Sequence, residues 1–282
     1  MFFKLTRYAL IALSLFVAKQ GFAQWDAWYA ASKAPHEEVL QIQVRDGVVE
    51  PVLISRTAPD QNPKYLLLLF PGHPGIMKLR EENGRIVFEL LGNFLLRARR
   101  HLVDVETATV SIDAPTDEYC CFEDHFRLGE KHAKDIGKVI DALKIRFPES
   151  RIYLVGTSNG TVSVASLAAR LPDKIDGAIL TASATVALGR APYLSGFDFG
   201  QIKVPTLFVH HRDDGCVVCP YTRVRDISSK YGFPLITVTG ATNPTGDPCQ
   251  AYSQHGFRGR EKETMAAILK WVKSRDVTET IN

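Results

Sequence analysis

Apolar and polar positions alternate along the first part of the chain in a way that predicts β-structure. Residues 39–44 alternate with a period of two, which predicts a strand with one buried face, and residues 51–55 follow as its antiparallel neighbour. Residues 65–70 are continuously apolar, which is typical of a strand buried on both faces. Two prolines and two glycines within residues 71–75 then predict a tight loop at the end of that strand.

The remaining chain alternates between helical and strand patterns. Apolar residues at helical spacing predict helices over residues 86–102, 129–147, 161–171, 221–231 and 260–274. Short apolar runs predict strands over residues 108–112, 152–155, 175–182, 206–210 and 235–239. This alternation predicts an α/β fold with a mostly parallel central sheet and helices on both faces. Because ligands bind at the C-terminal ends of such strands, the loops that follow residues 70, 155 and 210 are expected to form one site.

The segment Gly156-Thr157-Ser158-Asn159-Gly160 joins an apolar strand to an Ala- and Leu-rich helix. Gly-x-Ser-x-Gly at such a turn is typical of a nucleophile elbow, where the glycines let strand and helix approach closely. The turn lifts the serine hydroxyl clear of the sheet and places the positive end of the helix dipole beside it. Ser158 is therefore the predicted nucleophile, and a surface serine without chemistry is the alternative.

A serine nucleophile needs a base to take its proton and a third group to orient that base. Asp214 follows a predicted strand, and His255 lies in the loop between the last strand and the last helix. Serine, aspartate and histidine in this chain order are the triad expected for this architecture. Asp213 is the alternative acid, because it lies directly beside Asp214. His210 and His211 end the strand and are interpreted as packing or loop residues.

These motifs give the chain a resemblance to the α/β-hydrolase superfamily over residues 37–275. It is carried by the Ser158 motif, by the loop at 70–75, by residues 210–214 and by His255-Gly256-Phe257. The resemblance implies a cofactor-free serine hydrolase, with no metal, that forms an acyl-enzyme on Ser158. Many members have a His-Gly pair three residues before the acid. Aligning residues 210–214 with that pattern favours Asp214 as the triad acid and places His211 where the glycine usually occurs.

An acyl-transfer site also needs two N–H donors for the oxyanion of its tetrahedral intermediate. The amide of Asn159, directly after the nucleophile, is the first predicted donor. The resemblance implies that the second comes from the loop after the third strand, where it falls on the amide of His73. Pro74 is excluded because proline has no N–H.

The sequence thus predicts cleavage of a carboxylic ester of a small-molecule acyl substrate, with His255 as base and Asp214 as acid. Peptidase or amidase, thioesterase and acyltransferase activities use the same triad and stay open as alternatives. A binding protein that has this fold but no catalytic activity is the alternative outside the enzymes. Only about twenty residues separate residues 182 and 204, so a small lid or none is expected. Residues 114–128, with their aromatic side chains, are expected to form one wall of the site or to pack over the sheet edge.

Residues 1–23 resemble a secretory signal peptide. Lys4 and Arg7 precede an apolar stretch over residues 8–18, and Gly21-Phe22-Ala23 supplies small residues for cleavage after Ala23. The stretch is about half as long as the roughly 20 residues that span a membrane, so no stable span is expected. Cleavage would leave residues 24–282 as one domain in the periplasm or outside the cell.

The charge of the chain also depends on that segment. Residues 1–23 contain three basic residues and no acidic one, so their removal takes the formal net charge from +3 to zero. The full chain has 45% hydrophobic and 23% charged residues, a composition typical of an ordinary globular protein. Nothing in this balance favours nucleic acid as a partner.

Five cysteines in an exported chain indicate disulfide bonding. Cys216 and Cys219 follow the predicted acid, and Cys249 precedes the predicted base by six residues. A bridge from Cys249 to either of them would join the acid loop to the base loop. A local Cys216–Cys219 bridge and a three-thiol metal site are the alternatives. Cys120 and Cys121 are adjacent, where a bridge is strained.

Overall fold

Nine strands of the described chain, residues 30–282 of a computed structural model, form one sheet. The strands are β1 His36–Arg45, β2 Val48–Arg56, β3 Tyr65–Phe70, β6 Thr107–Ile112, β7 Arg151–Thr157, β8 Gly177–Thr181, β9 Thr206–His211, β10 Leu235–Val238 and β11 Thr280–Ile281. Two short strands, β4 Arg80–Glu82 and β5 Arg85–Val87, pair separately as a hairpin. The predicted export signal, residues 1–23, lies outside the described residues.

The strand order across the sheet is β1-β2-β6-β3-β7-β8-β9-β10-β11. β1 pairs antiparallel with β2, and β2 pairs antiparallel with β6. Every pair from β6 to β11 is parallel. The mostly parallel sheet predicted from the sequence is confirmed, and the C-terminal ends of β3, β7 and β9 lie along one edge.

Helices cover both faces of the sheet. They are α1 Phe94–Ala98, α2 Asp124–Arg127, α3 Glu130–Arg146, α4 Gly160–Arg170, α5 Tyr221–Tyr231 and α6 Glu261–Ser274. Leu66 and Leu68 of β3 pack with α3 and α4 on one face, and Leu67 and Leu69 pack with α1 and α6 on the other. Successive residues of a strand point to opposite faces, so the continuous apolar run of β3 belongs to both cores at once.

The helix predicted over residues 86–102 is wrong for its first half. Ile86 lies in β5, and Leu90 turns the chain with a φ of +63°. Asn93 then caps a shorter helix, because its Oδ1 accepts a hydrogen bond from the Leu95 amide at 3.0 Å. The helical part is α1 and the 3₁₀ turn Arg99–Leu102 that continues it.

The connection between β8 and β9 contains one short helical turn, the 3₁₀ helix Phe199–Gln201. This agrees with the predicted small lid or absence of a lid. Within residues 30–282, no helix has the length and apolar character needed to cross a membrane.

Candidate active site

Ser158 lies at the turn between β7 and α4 in a left-handed backbone conformation, with a φ of +52°. Strained conformations of this kind cost about 1–3 kcal/mol and are concentrated at functional sites. The Ser158 amide donates to the Thr181 carbonyl at 3.0 Å. Its carbonyl accepts from the Thr161 amide at 2.9 Å and from the Thr161 hydroxyl at 2.6 Å. The surrounding chain therefore holds the strained turn from both sides.

The glycines around Ser158 are required by close backbone approach. A Cβ on Gly160 would collide with the carbonyl oxygen of Phe70, and one on Gly156 would lie 2.6 Å from the Gly160 carbonyl oxygen. A Cβ on Gly72 would lie 3.0 Å from the Cβ of Ser158. The loop after β3 thus packs directly against the elbow.

The structure brings His255 to Asp214. His255 Nδ1 donates to Asp214 Oδ2 at 2.9 Å, and both side chains are buried. Asp213, the alternative acid, is exposed, and its amide donates to His211 Nδ1 at 3.0 Å. Gly256 allows the tight turn that carries His255, because a Cβ there would collide with the carbonyl of Ala251.

A second histidine contacts the same carboxylate. His210 Nε2 lies 3.4 Å from Asp214 Oδ2 and 2.8 Å from the Cys219 carbonyl oxygen, while His210 Nδ1 accepts from the Ser183 amide at 3.3 Å. An amide can only donate, so the ring hydrogen of His210 is on Nε2. The sequence interpretation of His210 as a packing residue missed this contact, whose only sequence sign is its position four residues before Asp214.

These contacts keep Asp214 ionised. Burial pushes the pKa of Asp214 upward, but hydrogen bonds from His210 and His255 lower the pKa to about 2. The Cys216 amide also donates to Asp214 Oδ1 at 2.9 Å. The carboxylate is therefore fixed as an acceptor at neutral pH.

The two residues that carry the predicted oxyanion donors line one cavity. Asn159 and His73 both line it, and neither backbone amide is a donor among the loop hydrogen bonds of residues 30–282. His73 is joined to Pro74 by a cis peptide bond. The Asn159 side chain is fixed by α2, because its Nδ2 donates to Asp124 Oδ1 at 2.7 Å.

The cavity has a volume of about 480 Å³ and is bordered by Ser158 and His255. Its larger side chains are Leu90, Phe94, Leu188, Tyr193, Val218 and Tyr252. Within the described part of the chain, no Asp, Glu, Lys or Arg side chain lines it. No hydrogen bond between the Ser158 hydroxyl and His255 occurs in residues 30–282; the hydroxyl lies beside the Cys219 thiol.

Residues 114–128 do not form a wall of this cavity. Phe122 and Phe126 pack against each other and against His132 of α3. Tyr119 donates to Asp113 at 3.0 Å. The expectation of a wall is therefore wrong, and packing over the sheet is the alternative that the structure shows. Phe122 and Phe126 are buried there in an apolar cluster with Ile76 and Ala114.

The structure contains a Cys216–Cys249 disulfide, which joins the acid loop to the base loop. Cys219 is a buried thiol whose pKa is raised well above its usual range by burial and by the charge of Asp214. Cys120 and Cys121 are exposed thiols. Donor atoms of Cys216, Cys219 and His255 lie within 4.8 Å of one another. Cys216 is in the disulfide and His255 Nδ1 is bonded to Asp214, so this cluster of the described chain does not present three free metal ligands.

Sheet order, helical layers and the serine elbow together define the α/β-hydrolase fold. The sequence profile of the family described as serine aminopeptidase, S33, matches residues 124–225, which include Ser158 and Asp214. A comparison with curated proteins gives no match.

Solved structures share the fold at low sequence identity. Est1E from Butyrivibrio proteoclasticus is 20% identical with a TM-score of 0.58, over 84% of this chain and 98% of that chain. An α/β serine hydrolase without a lid from Xanthomonas campestris is 16% identical with a TM-score of 0.55, over 82% and 94%. A membrane phospholipase A, named as a bacterial virulence factor, is 15% identical with a TM-score of 0.60, over 96% and 97%. The chain therefore has the α/β-hydrolase fold, and the family profile over residues 124–225 supports a serine hydrolase.

Proposed function

We propose that the protein is an exported esterase that cleaves a carboxylic ester through an acyl-enzyme on Ser158. The observation that carries this proposal is the 2.9 Å hydrogen bond between His255 Nδ1 and Asp214 Oδ2 at the edge of the cavity that contains Ser158. With Nδ1 bound to the acid, His255 Nε2 is the ring nitrogen left to accept the serine proton.

The reaction follows from these positions. Ser158 Oγ attacks the ester carbonyl carbon as His255 takes its proton, and ionised Asp214 stabilises the resulting imidazolium. The amides of Asn159 and His73 stabilise the oxyanion of the tetrahedral intermediate. His255 returns the proton to the leaving alcohol, and a water molecule activated by His255 then attacks the acyl-enzyme to release the acid and free Ser158.

The cavity favours an ester over an aminopeptidase substrate. A peptide with a free N-terminus would bring an ammonium group into the site, and a buried charge is costly unless it is paired. The described residues place no carboxylate side chain in the cavity wall, and Asp214 lies behind His255. The substrate class that fits is therefore an ester whose acyl group carries no charge.

Export of the protein is supported by two independent features. Residues 1–23 have the pattern of a cleaved signal peptide. The Cys216–Cys249 disulfide belongs to an oxidising compartment such as the periplasm or the cell exterior. Mass measurement of the protein recovered from that compartment tests this part, with a mature N-terminus at residue 24 as the expected result.

The activity is tested with p-nitrophenyl butyrate and leucine p-nitroanilide as paired substrates. Wild-type protein is expected to hydrolyse the ester, and Ser158→Ala to lower kcat by about 10³-fold or more. Ser229→Ala, an exposed serine on α5, serves as the matched control and should keep full activity. Cleavage of the anilide without cleavage of the ester would favour the aminopeptidase alternative. Ester hydrolysis that survives in Ser158→Ala would contradict the proposal.

A further inference from the structure

One short helix outside the cavity contacts both halves of the proposed oxyanion hole. Asp124, the first residue of α2, is buried and does not line the cavity. Its Oδ1 accepts from Asn159 Nδ2 at 2.7 Å, and its Oδ2 accepts from the Tyr193 amide at 2.8 Å. One carboxylate therefore joins the residue after the nucleophile to a residue of the cavity wall.

Arg127, the last residue of α2, makes the corresponding contacts to the loop after β3. Its Nη2 donates to the Pro74 carbonyl at 3.0 Å, and its Nη1 donates to Ser163 Oγ at 3.1 Å. The guanidinium carbon lies 3.8 Å from the centre of the Phe122 ring. A Cβ on Gly75 would collide with Arg127, so this loop lies directly on the guanidinium.

We propose that Asp124 and Arg127 are positioning residues that bring the Asn159 and His73 amides together on one oxygen atom. The inference rests on the proposed function, since it concerns the oxyanion of that reaction. The two donors come from different loops, and a catalytic constellation has to be held within about 0.5 Å of its productive geometry. The two positioning side chains are three residues apart, on one turn of α2, so they link the two loops through a single rigid element.

The Asp124–Asn159 contact has a specific reason to affect the amide of Asn159. Ser158 is in the left-handed region, and such a conformation persists only where the neighbouring structure over-determines it. The Ser158–Asn159 peptide unit carries the donor amide, and Asn159 is buried with its side chain fixed by Asp124. Without that contact the peptide unit gains freedom to rotate, and the N–H is no longer preorganised.

A double-mutant cycle on kcat tests the link between Asp124 and Asn159. Asn159→Ala removes the side-chain contact but keeps the backbone amide, and Asp124→Ala removes the same contact from the other end. We expect each variant to lower kcat for p-nitrophenyl butyrate by about 10- to 100-fold, with KM changed by less than about twofold. The double variant should equal Asp124→Ala alone, because Asp124→Ala already removes the contact that Asn159→Ala breaks.

A second readout reports on the oxyanion hole itself. A trifluoromethyl ketone forms a hemiketal on an active serine, and its oxygen anion occupies the position of the reaction's oxyanion. Its inhibition constant should rise in the variants by the same factor as kcat falls. Asp198→Ala is the matched control, because Asp198 caps the Gly200 amide at 3.0 Å on an exposed turn outside the cavity. This control should leave kcat and inhibition unchanged.

Folding is monitored by thermal unfolding of every variant. Where Asp124→Ala does not fold, Asp124→Asn replaces it; its amide oxygen can accept one of the two bonds, and an intermediate kcat is expected. Asn159→Ala with wild-type kcat, or single effects that multiply in the double variant, would overturn the positioning role while leaving the esterase proposal intact. An inactive wild type would instead overturn the proposed function, and the positioning role with it.

Discussion

His210 Nε2 lies 3.4 Å from Asp214 Oδ2, so the carboxylate that orients His255 is contacted by two imidazole rings. His210 is itself fixed by the Ser183 amide and the Cys219 carbonyl. The charged form of Asp214 is therefore stabilised from two directions. This arrangement explains how a carboxylate remains ionised although its side chain is fully buried.

Replacement of His210 should make the protein less tolerant of acid. The pKa of Asp214 is about 2 in the folded chain, against about 3.9 for an unperturbed aspartate. Its stabilising contribution is thus complete above about pH 4 and is lost as the pH falls through about 2. His210→Phe should raise the pKa of Asp214 and lower the free energy of unfolding at pH 7 by about 1–2 kcal/mol. The loss of stability in acid should then begin at a higher pH than in the wild type.

Urea unfolding between pH 2 and pH 7 measures this change. His210→Gln is the matched variant, because its amide can replace the Nε2 donor and should recover part of the stability. Superimposable pH profiles of the wild type and His210→Phe would show that His210 does not stabilise the Asp214 carboxylate.

The disulfide prediction concerns stability. Cys216 and Cys249 are 33 residues apart, and closing a loop of that length contributes about 3–4 kcal/mol in the chain-entropy account. The double variant Cys216→Ser/Cys249→Ser should lower the free energy of unfolding by about that amount and reduce kcat, because the acid and base loops are no longer joined. Cys120→Ser/Cys121→Ser, which changes two exposed thiols, is the control. Equal thermal unfolding of both double variants would contradict the prediction.

Glu50 predicts a second pH effect with the opposite sign. It is a fully buried residue of β2 close to the charges of Arg45, Asp113 and Asp135, and its carboxyl oxygens have no hydrogen-bond partner among the described residues. Burial, with the charges of Asp135 and Asp113, raises its pKa well above the usual value. The folded state then binds this proton more tightly than the unfolded state, so stability falls as the pH rises from about 4.3 through the native pKa.

Glu50→Gln replaces the titrating carboxyl group with a neutral amide and should stabilise the protein at neutral pH. The wild type loses about 1.4 kcal/mol per pH unit from this one group within its titration range, and the variant should lose correspondingly less. The free energy of unfolding at pH 5 and pH 8 measures the difference. Glu149→Gln, on an exposed turn, is the control and should not change the slope. A Glu50→Gln variant that is no more stable at pH 8 would contradict a protonated Glu50.

The rim of the cavity predicts a preference for longer acyl chains. Leu188 lines the cavity yet remains 58% exposed, and Tyr252, which also lines it, is 37% exposed. Leu188→Ser should lower kcat/KM for p-nitrophenyl octanoate by about fivefold, since about 1 kcal/mol of apolar contact is lost, and leave p-nitrophenyl acetate unchanged. Ile145→Ser, at an 86% exposed position on α3, is the control. Equal effects on both esters would show that the rim does not bind the acyl chain.

The sequence predicts the parts of the site that follow apolar runs. Ser158 and the loop at 71–75 come directly after strands of the parallel sheet and Asp214 follows the end of another strand by three residues, so their convergence follows from topology. The contacts of His210 and Asp124 were not predicted, because tertiary packing determines their partners. Asp124 and Asn159 are 35 residues apart in the sequence, and no local sequence pattern indicates that they bind each other. The helix prediction was wrong over residues 86–93 for a related reason. Their apolar spacing is helical, but the turn at Leu90 and the Asn93 cap override it.

Covalent labelling of Ser158 tests the central claim most directly. The folded, oxidised protein is treated with a fluorophosphonate probe, and the modified residue is mapped by mass spectrometry, with Ser158→Ala and His255→Ala in parallel. An activated serine predicts labelling at Ser158 alone, lost in both variants. A folded wild type that is not labelled, or is labelled at another residue, would contradict the assignment of Ser158 as the nucleophile.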